Sequence, residues 1–209
     1  ALQSQKAAIT LIVRPGWEEK IQNHKGVINV FETKDLFSES VEWWEAKCKN
    51  IDKIIHVAWY VVPGKYLFSD INMDCLSGTL NLAKGAAAAG IKKFVGVGTC
   101  FEYDLSDGML SINTPLKPLT PYAATKAAIY MTLSQWLLQK NIEFVWCRLF
   151  YLYGEDESDE RLVPYIRSKL ENNQIAELTS GKQIRDYMDV SEAGNMIADM
   201  AFNNILGCI

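Results

Sequence analysis

The 209-residue sequence has two histidines, His24 and His56, and no CxxC among its five cysteines. Two imidazoles and no paired thiols are a poor zinc donor set, so no metal site is expected. It also lacks a basic excess. Its 21 Lys and Arg are scattered against 25 Asp and Glu, for a formal net charge of -4. Nucleic-acid binders show a basic stripe, so no nucleic-acid partner is expected. No apolar run approaches the roughly 20 residues that cross a bilayer, so no membrane partner is expected. Residues 1–6 lack the apolar core of a signal peptide. Cys48, Cys75, Cys100, Cys147 and Cys208 are odd in number. They read as reduced thiols of a cytoplasmic protein. None of the 13 glycines falls in a GxxGxxG turn, and there is no internal repeat or low-complexity tract.

Short β-branched runs alternate with helix-like stretches. AITLIV (8–13) stops at Arg14-Pro15-Gly16, a turn. Residues 27–31, 53–59, 93–98 and 142–150 read as further strands. Helices are expected over 38–49, 70–89 with Gly90 as C-cap, 121–139, 161–172 and 191–202. Residues 175–179 read as extended and 205–209 as the start of another strand. The strands are almost continuously apolar, as strands covered by helices on both faces must be. The expected fold is α/β, a doubly wound parallel sheet of Rossmann type. The acidic run EDESDE (155–160) reads as a solvated loop.

Tyr122 and Lys126, in PYAATK, stand four residues apart at the start of the 121–139 helix, on one face. Exchanging hydride at a carbinol or carbonyl requires a partner for the oxygen's proton. A tyrosine with a pKa near ~10 is a weak base at neutral pH, and a neighbouring ammonium is expected to lower that value. Tyr165 and Lys169 repeat the pattern in YIRSK. They read as an ordinary helix face, because no hydroxyl-bearing strand end precedes them. Tyr122 has one: Thr99 follows the apolar strand ending at Gly98, at the edge where ligands of such sheets bind.

With these motifs the sequence resembles an extended short-chain dehydrogenase/reductase of the NAD-dependent epimerase/dehydratase family. GTCFEY (98–103) is similar to that family's serine/threonine motif, and Tyr122 and Lys126 match its YxxxK. The resemblance implies that Thr99, Tyr122 and Lys126 are catalytic. It implies that Asp35, Leu36, Val57, Ala58, Tyr122 and Lys126 contact a nicotinamide dinucleotide. Thr99, Tyr151 and Arg185 would meet a nucleotide-sugar substrate. Arg185, in QIRDYMDV (183–190), would hold its phosphates, for which an arginine fork is suited. Bland alternatives stand beside these: Asp35 caps a turn, Arg185 pairs with Glu192 or Asp186, and His56 is a buried histidine without chemistry. The resemblance further implies a homodimer through helices 70–89 and 121–139. The domain expected is a partial NAD(P)-binding one over 1–209, with parts of a substrate-binding region at about 151–190.

The sequence departs from the family's pattern in several places. The family's first strand and glycine turn, which holds the pyrophosphate, have no counterpart. They are expected to be missing, with the missing strand belonging mid-sheet. The chain is also expected to stop short of a substrate-binding subdomain. Arg14, where NAD-specific relatives often carry an acid, points to NADP over NAD. Cys100-Phe101 replace the Asp-Glu pair of the sugar 4,6-dehydratases, which argues against dehydration. Tyr151 replaces an Asn. Glu102 and Asp104 are read as loop residues rather than a second acid/base. The expected activity is that of a 4-epimerase or 4-keto reductase of a nucleotide sugar. The alternatives are NADPH-dependent reduction of a non-sugar carbonyl and a non-catalytic dinucleotide-binding regulator.

Overall fold

The computed structural model describes residues 1–21, 24–155 and 157–209. Of the acidic run, Asp156 lies outside them. Every ladder between the named strands is parallel. The first two strands, β1 (Ile9–Val13) and β2 (Val27–Glu32), pair with each other. A second sheet runs β3 (Lys53–His56), β4 (Lys93–Thr99), β5 (Glu143–Leu149), β8 (Gly207–Cys208). A third pairs β6 (Tyr151–Tyr153) with β7 (Tyr187–Asp189).

The expected single sheet is therefore divided. Among the described residues no ladder joins β1 to β3. A groove of about 540 Å³ separates them, lined by Ile9 and Leu11 on one bank and Ile54 and His56 on the other. It lies between the two-stranded β1–β2 sheet and the four-stranded sheet.

Helices cover both faces of the four-stranded sheet. On one face α2 (Val41–Lys47), α3 (Ile71–Ala88) and α4 (Pro121–Gln139) enclose the main core. Trp44, Leu82, Ile129, Leu133, Phe94 and Trp146 meet there. On the other face α6 (Val190–Phe202) brings Ala201 against Val95 and Val145. Successive residues of β4 and β5 face opposite sides, so the middle of each strand, 94–98 and 144–147, carries no charged or polar side chain apart from the Trp146 indole. All seven residues of β4 are buried.

Local chemistry sets most boundaries. Ser40 caps α2 by accepting from the Trp43 amide, so that helix starts later than expected. Thr120 caps α4 the same way through Ala123, with Pro121 in the first turn. Gly90 turns the chain out of α3 at a φ of 87°. Two expected extended segments fail, and three short elements come unforeseen. Residues 57–59 leave the sheet, because the ladder to β4 ends at His56↔Gly96. Residues 175–179 join no ladder. The short strands β6 and β7 and the four-residue helix α1 (Glu18–Ile21) were not expected. Such short elements carry too few residues to show a period.

Candidate active site

The site forms at the carboxyl end of β4. Thr99 ends that strand and caps the single 3-10 turn that follows, Cys100–Glu102. Its hydroxyl accepts from the Phe101 amide at 3.3 Å. Tyr122 stands in the first turn of α4, 8% exposed, beside Thr99. Two aromatic rings wall it edge-on. Tyr66 lies at 4.8 Å between centroids and Trp59 at 6.5 Å. One turn further along α4, Lys126 is buried, and its Nζ donates to the Val97 carbonyl at 2.6 Å. The same Nζ lies 4.0 Å from the centre of the Trp59 ring, within cation–π range.

Asn72 holds both walls. Its Oδ1 accepts from Trp59 Nε1 at 2.9 Å. Its Nδ2 donates to the carbonyls of Tyr66 and Ser69. Asn72 and Tyr66 were not marked by the sequence reading; Trp59 directly follows Val57 and Ala58, which the resemblance assigned to the cofactor.

The electrostatics correct one expectation. Burial pushes the Tyr122 phenol well above its ordinary value, and Tyr66, Glu102 and Cys100 add to the rise. The Thr99 hydroxyl pulls the other way. Lys126 was expected to lower the phenol, but desolvation dominates at both groups. Lys126 itself is brought down to about 7, with Glu102 and Cys75 opposing the shift. In this state the Tyr122 phenol keeps its proton.

Tyr151 and Arg185 reach the same edge. The Phe101 and Tyr151 rings are 6.3 Å apart, and the Arg185 guanidinium lies 5.3 Å from the Tyr151 ring. Arg185 is exposed, and its hydrogen bonds to the described residues are local, to the Ile184 carbonyl and Gln183. Among the described residues it makes no ion pair with Glu192 or Asp186. Tyr165 and Lys169 lie elsewhere, on α5 (Leu162–Glu171), bonded to the Glu177 amide and Gln174. His56 bonds Thr79 at 2.9 Å, and burial lowers its pKa to about 3. Asp104 is held by Ser106 and Lys117 in the loop. Glu102, read as a loop residue, is instead fully buried.

The residues named for a cofactor are divided. Leu36, Val57 and Ala58 line the groove between β1 and β3, an apolar wall suited to a flat ring. Asp35 is exposed and caps a turn by accepting from the Phe37 amide at 3.0 Å. Arg14 is exposed just past β1. The amides of the nearby turn, Gly16 and Glu18, donate to the Glu32 carboxylate rather than being left for a phosphate. The residues present therefore fit the ring-bearing parts of a dinucleotide and not its pyrophosphate.

Comparison with known proteins gives the lineage. The chain is 22% identical over 167 residues to dTDP-6-deoxy-L-talose 4-dehydrogenase (NAD(+)) of Aggregatibacter actinomycetemcomitans, covering 79% of this chain and 61% of that protein. It is 36% identical over 109 residues to UDP-glucose 4-epimerase of Rhizobium meliloti (strain 1021), 49% of this chain and 32% of that one. It thus spans less than two thirds of the length of these relatives. Among solved structures, UDP-N-acetylglucosamine 4-epimerase from Methanobrevibacter ruminantium M1, in complex with UDP-N-acetylmuramic acid, superposes with a TM-score of 0.79 at 23% identity. That match covers 97% of this chain and 67% of that one. DesIV, the dTDP-glucose 4,6-dehydratase from Streptomyces venezuelae with NAD and TYD bound, gives 0.74 at 19% identity, over 96% and 64%. These structural likenesses speak for the Rossmann-like fold. The family model for NAD dependent epimerases and dehydratases matches residues 1–204, and the chain belongs to that family.

Proposed function

We propose that this chain carries the proton-transfer site of an enzyme acting at C4 of a nucleotide sugar, and that reduction of a 4-keto group is the reaction it fits best. The observation that carries the reading is the placement of the buried Tyr122 phenol beside the Thr99 hydroxyl at the end of β4, with buried Lys126 one turn along α4. A 4-keto oxygen placed between phenol and hydroxyl accepts from both. Leu36, Val57 and Ala58 would hold the nicotinamide dinucleotide, which when bound would supply the hydride to C4. As the carbonyl π electrons move to oxygen, Tyr122 donates its proton and leaves a carbinol and a phenolate. Lys126, with a pKa near 7, is partly charged at neutral pH. Its ammonium then stabilises that phenolate across one turn of α4. Tyr151 and Arg185 stand where the sugar and its phosphates would lie. Cys100 and Phe101, next to Thr99, offer no carboxyl group for eliminating water.

A 4-epimerase is the second reading, favoured by the printed activities of the UDP-glucose and UDP-N-acetylglucosamine relatives. There the same tyrosine would take a proton before returning it. The two separate on the purified complete gene product. A reductase consumes added dihydronicotinamide stoichiometrically, and an epimerase turns over with none added. Assay against a panel of nucleotide sugars and their 4-keto forms, with Tyr122→Phe beside it, tests the mechanism. Unchanged turnover in that variant overturns it.

Three finer points belong to the same proposal. Arg14, an exposed cation past β1, favours NADP by pairing with a 2′-phosphate. A clear kinetic preference for NADH would reject this. Exposed Met73 on α3 and Met131 on α4 suit a homodimer through these helices. A monomeric mass by light scattering would reject that. The five free thiols suit a reducing, cytoplasmic compartment.

A further inference from the structure

Glu102 is 0% exposed, in the turn straight after Thr99. Desolvating a carboxylate costs several kcal/mol unless donors surround it. Here they do. Its Oε1 accepts from the Thr99 amide at 2.8 Å and from Trp146 Nε1 at 3.1 Å. Its Oε2 accepts from the same indole at 3.1 Å and from Arg148 Nε at 2.8 Å. Arg148 is itself 7% exposed, with the Tyr103 ring 4.6 Å and the Tyr130 ring 4.5 Å from its guanidinium. With both oxygens committed and no access to solvent, Glu102 has no route for shuttling a proton.

It meets the site at the backbone of Thr99, whose amide it fixes. It also acts on Lys126 through space: its negative charge favours the ammonium, and the Trp146 indole that donates to Glu102 has its ring 5.8 Å from Nζ. Other ionisable groups near Lys126 are Cys75 from α3, His56 from β3 and, one turn back on α4, the Tyr122 phenol, which burial keeps protonated. His56 is neutral there, and burial raises the Cys75 thiol, so neither replaces the carboxylate's charge. β4 makes room for the cluster. A Cβ on Gly98 would overlap Trp146 Nε1 and Glu102 Oε1, and one on Gly96 would overlap the same indole.

We infer that Glu102 is a positioning residue of this site, holding Thr99 through its backbone amide and presenting the facing negative charge to Lys126. Its functional meaning rests on the reading of Thr99, Tyr122 and Lys126 proposed above, whereas its physical claim does not. The experiment is a pH titration of the full chain carrying [ε-13C]lysine, read by NMR and assigned with Lys126→Arg. In Glu102→Gln the Lys126 midpoint falls by about one unit, because an opposite charge has been removed. Glu102→Asp returns most of the shift. Glu102→Gln leaves Arg148 buried without its carboxylate. Should it fail to fold, Glu102→Gln/Arg148→Met removes both charges and is expected to show a smaller fall in the same direction, because the more distant Arg148 cation goes with the carboxylate. An unmoved midpoint in any folded, carboxylate-free variant overturns the inference. Turnover separates the two readings. A Lys126 shift with normal Tyr122→Phe activity sinks the function alone. Lost Tyr122→Phe activity with an unmoved Lys126 sinks the role of Glu102 alone.

Discussion

At the scale of single residues, the site is a contest between desolvation and pairing. Tyr122 is a protonated phenol and Lys126 a partly charged amine because burial outweighs the groups that oppose it, Thr99 at the phenol and Glu102 and Cys75 at the amine. Two measurements follow. Lys126 has a pKa of about 7 in the fold against an ordinary 10.5. Between those values the unfolded chain binds a proton that the native one does not, so this contribution to stability rises with pH. The urea midpoint of the parent is expected to climb relative to Lys126→Met from pH 7 towards 10. Parallel curves would count against a buried, depressed lysine. Tyr122→Phe keeps the ring against Tyr66 and Trp59, so its melting temperature should stay near the parent's. Its turnover in the proposed reaction should fall by about 10²–10⁴-fold, the usual worth of a placed proton donor.

At the scale of elements, β4 and the first turn of α4 decide whether the site exists. The Thr120 hydroxyl accepts from the Ala123 amide at 3.2 Å, holding the turn that carries Tyr122. Thr120→Ala is expected to cost about 1 kcal/mol in urea denaturation. Gly98→Ala puts a methyl group into the indole and carboxylate behind the strand. Overpacking of that kind costs about 1–3 kcal/mol, and here it should also reduce turnover by displacing Thr99. A Gly98→Ala protein with parent stability would show that β4 has slack the structure does not display. These elements were legible beforehand. Pro121–Gln139 coincides with the expected helix because its cap, proline and apolar content all agree. By contrast β6 and β7, three residues each, exist only because distant segments meet. No local pattern announces them.

At the scale of the molecule, the dominant feature is the groove between β1 and β3. Strand edges there are open, and the turn past β1 spends its amides on Glu32. A chain of this sequence alone is therefore expected to bind NADH or NADPH weakly or not at all by calorimetry. A cooperative melt together with sub-micromolar binding would contradict this. Much of the candidate site was nonetheless readable. The Thr99, Tyr122 and Lys126 motifs are short, ordered and carried by a strand end and a helix start. Glu102 was not, because next to Asp104 in sequence it looks like the same kind of loop acid. Only the packing of β5 beside β4 puts Trp146 and Arg148 around one of them and leaves the other to Ser106 and Lys117.

The linear sequence determined the alternation of elements, the two-faced burial of the strands, and the spacing of Tyr122 and Lys126. Apolar periodicity and caps act over a few residues and need no knowledge of what lies across the core. The tertiary structure decided the ionisation of the pair. A pKa depends on how much water is removed and which charges face the group, and both come from residues distant in the chain. The sequence offered a lysine that would activate a tyrosine. The fold buries both, raises the phenol, and sets Glu102 opposite the ammonium.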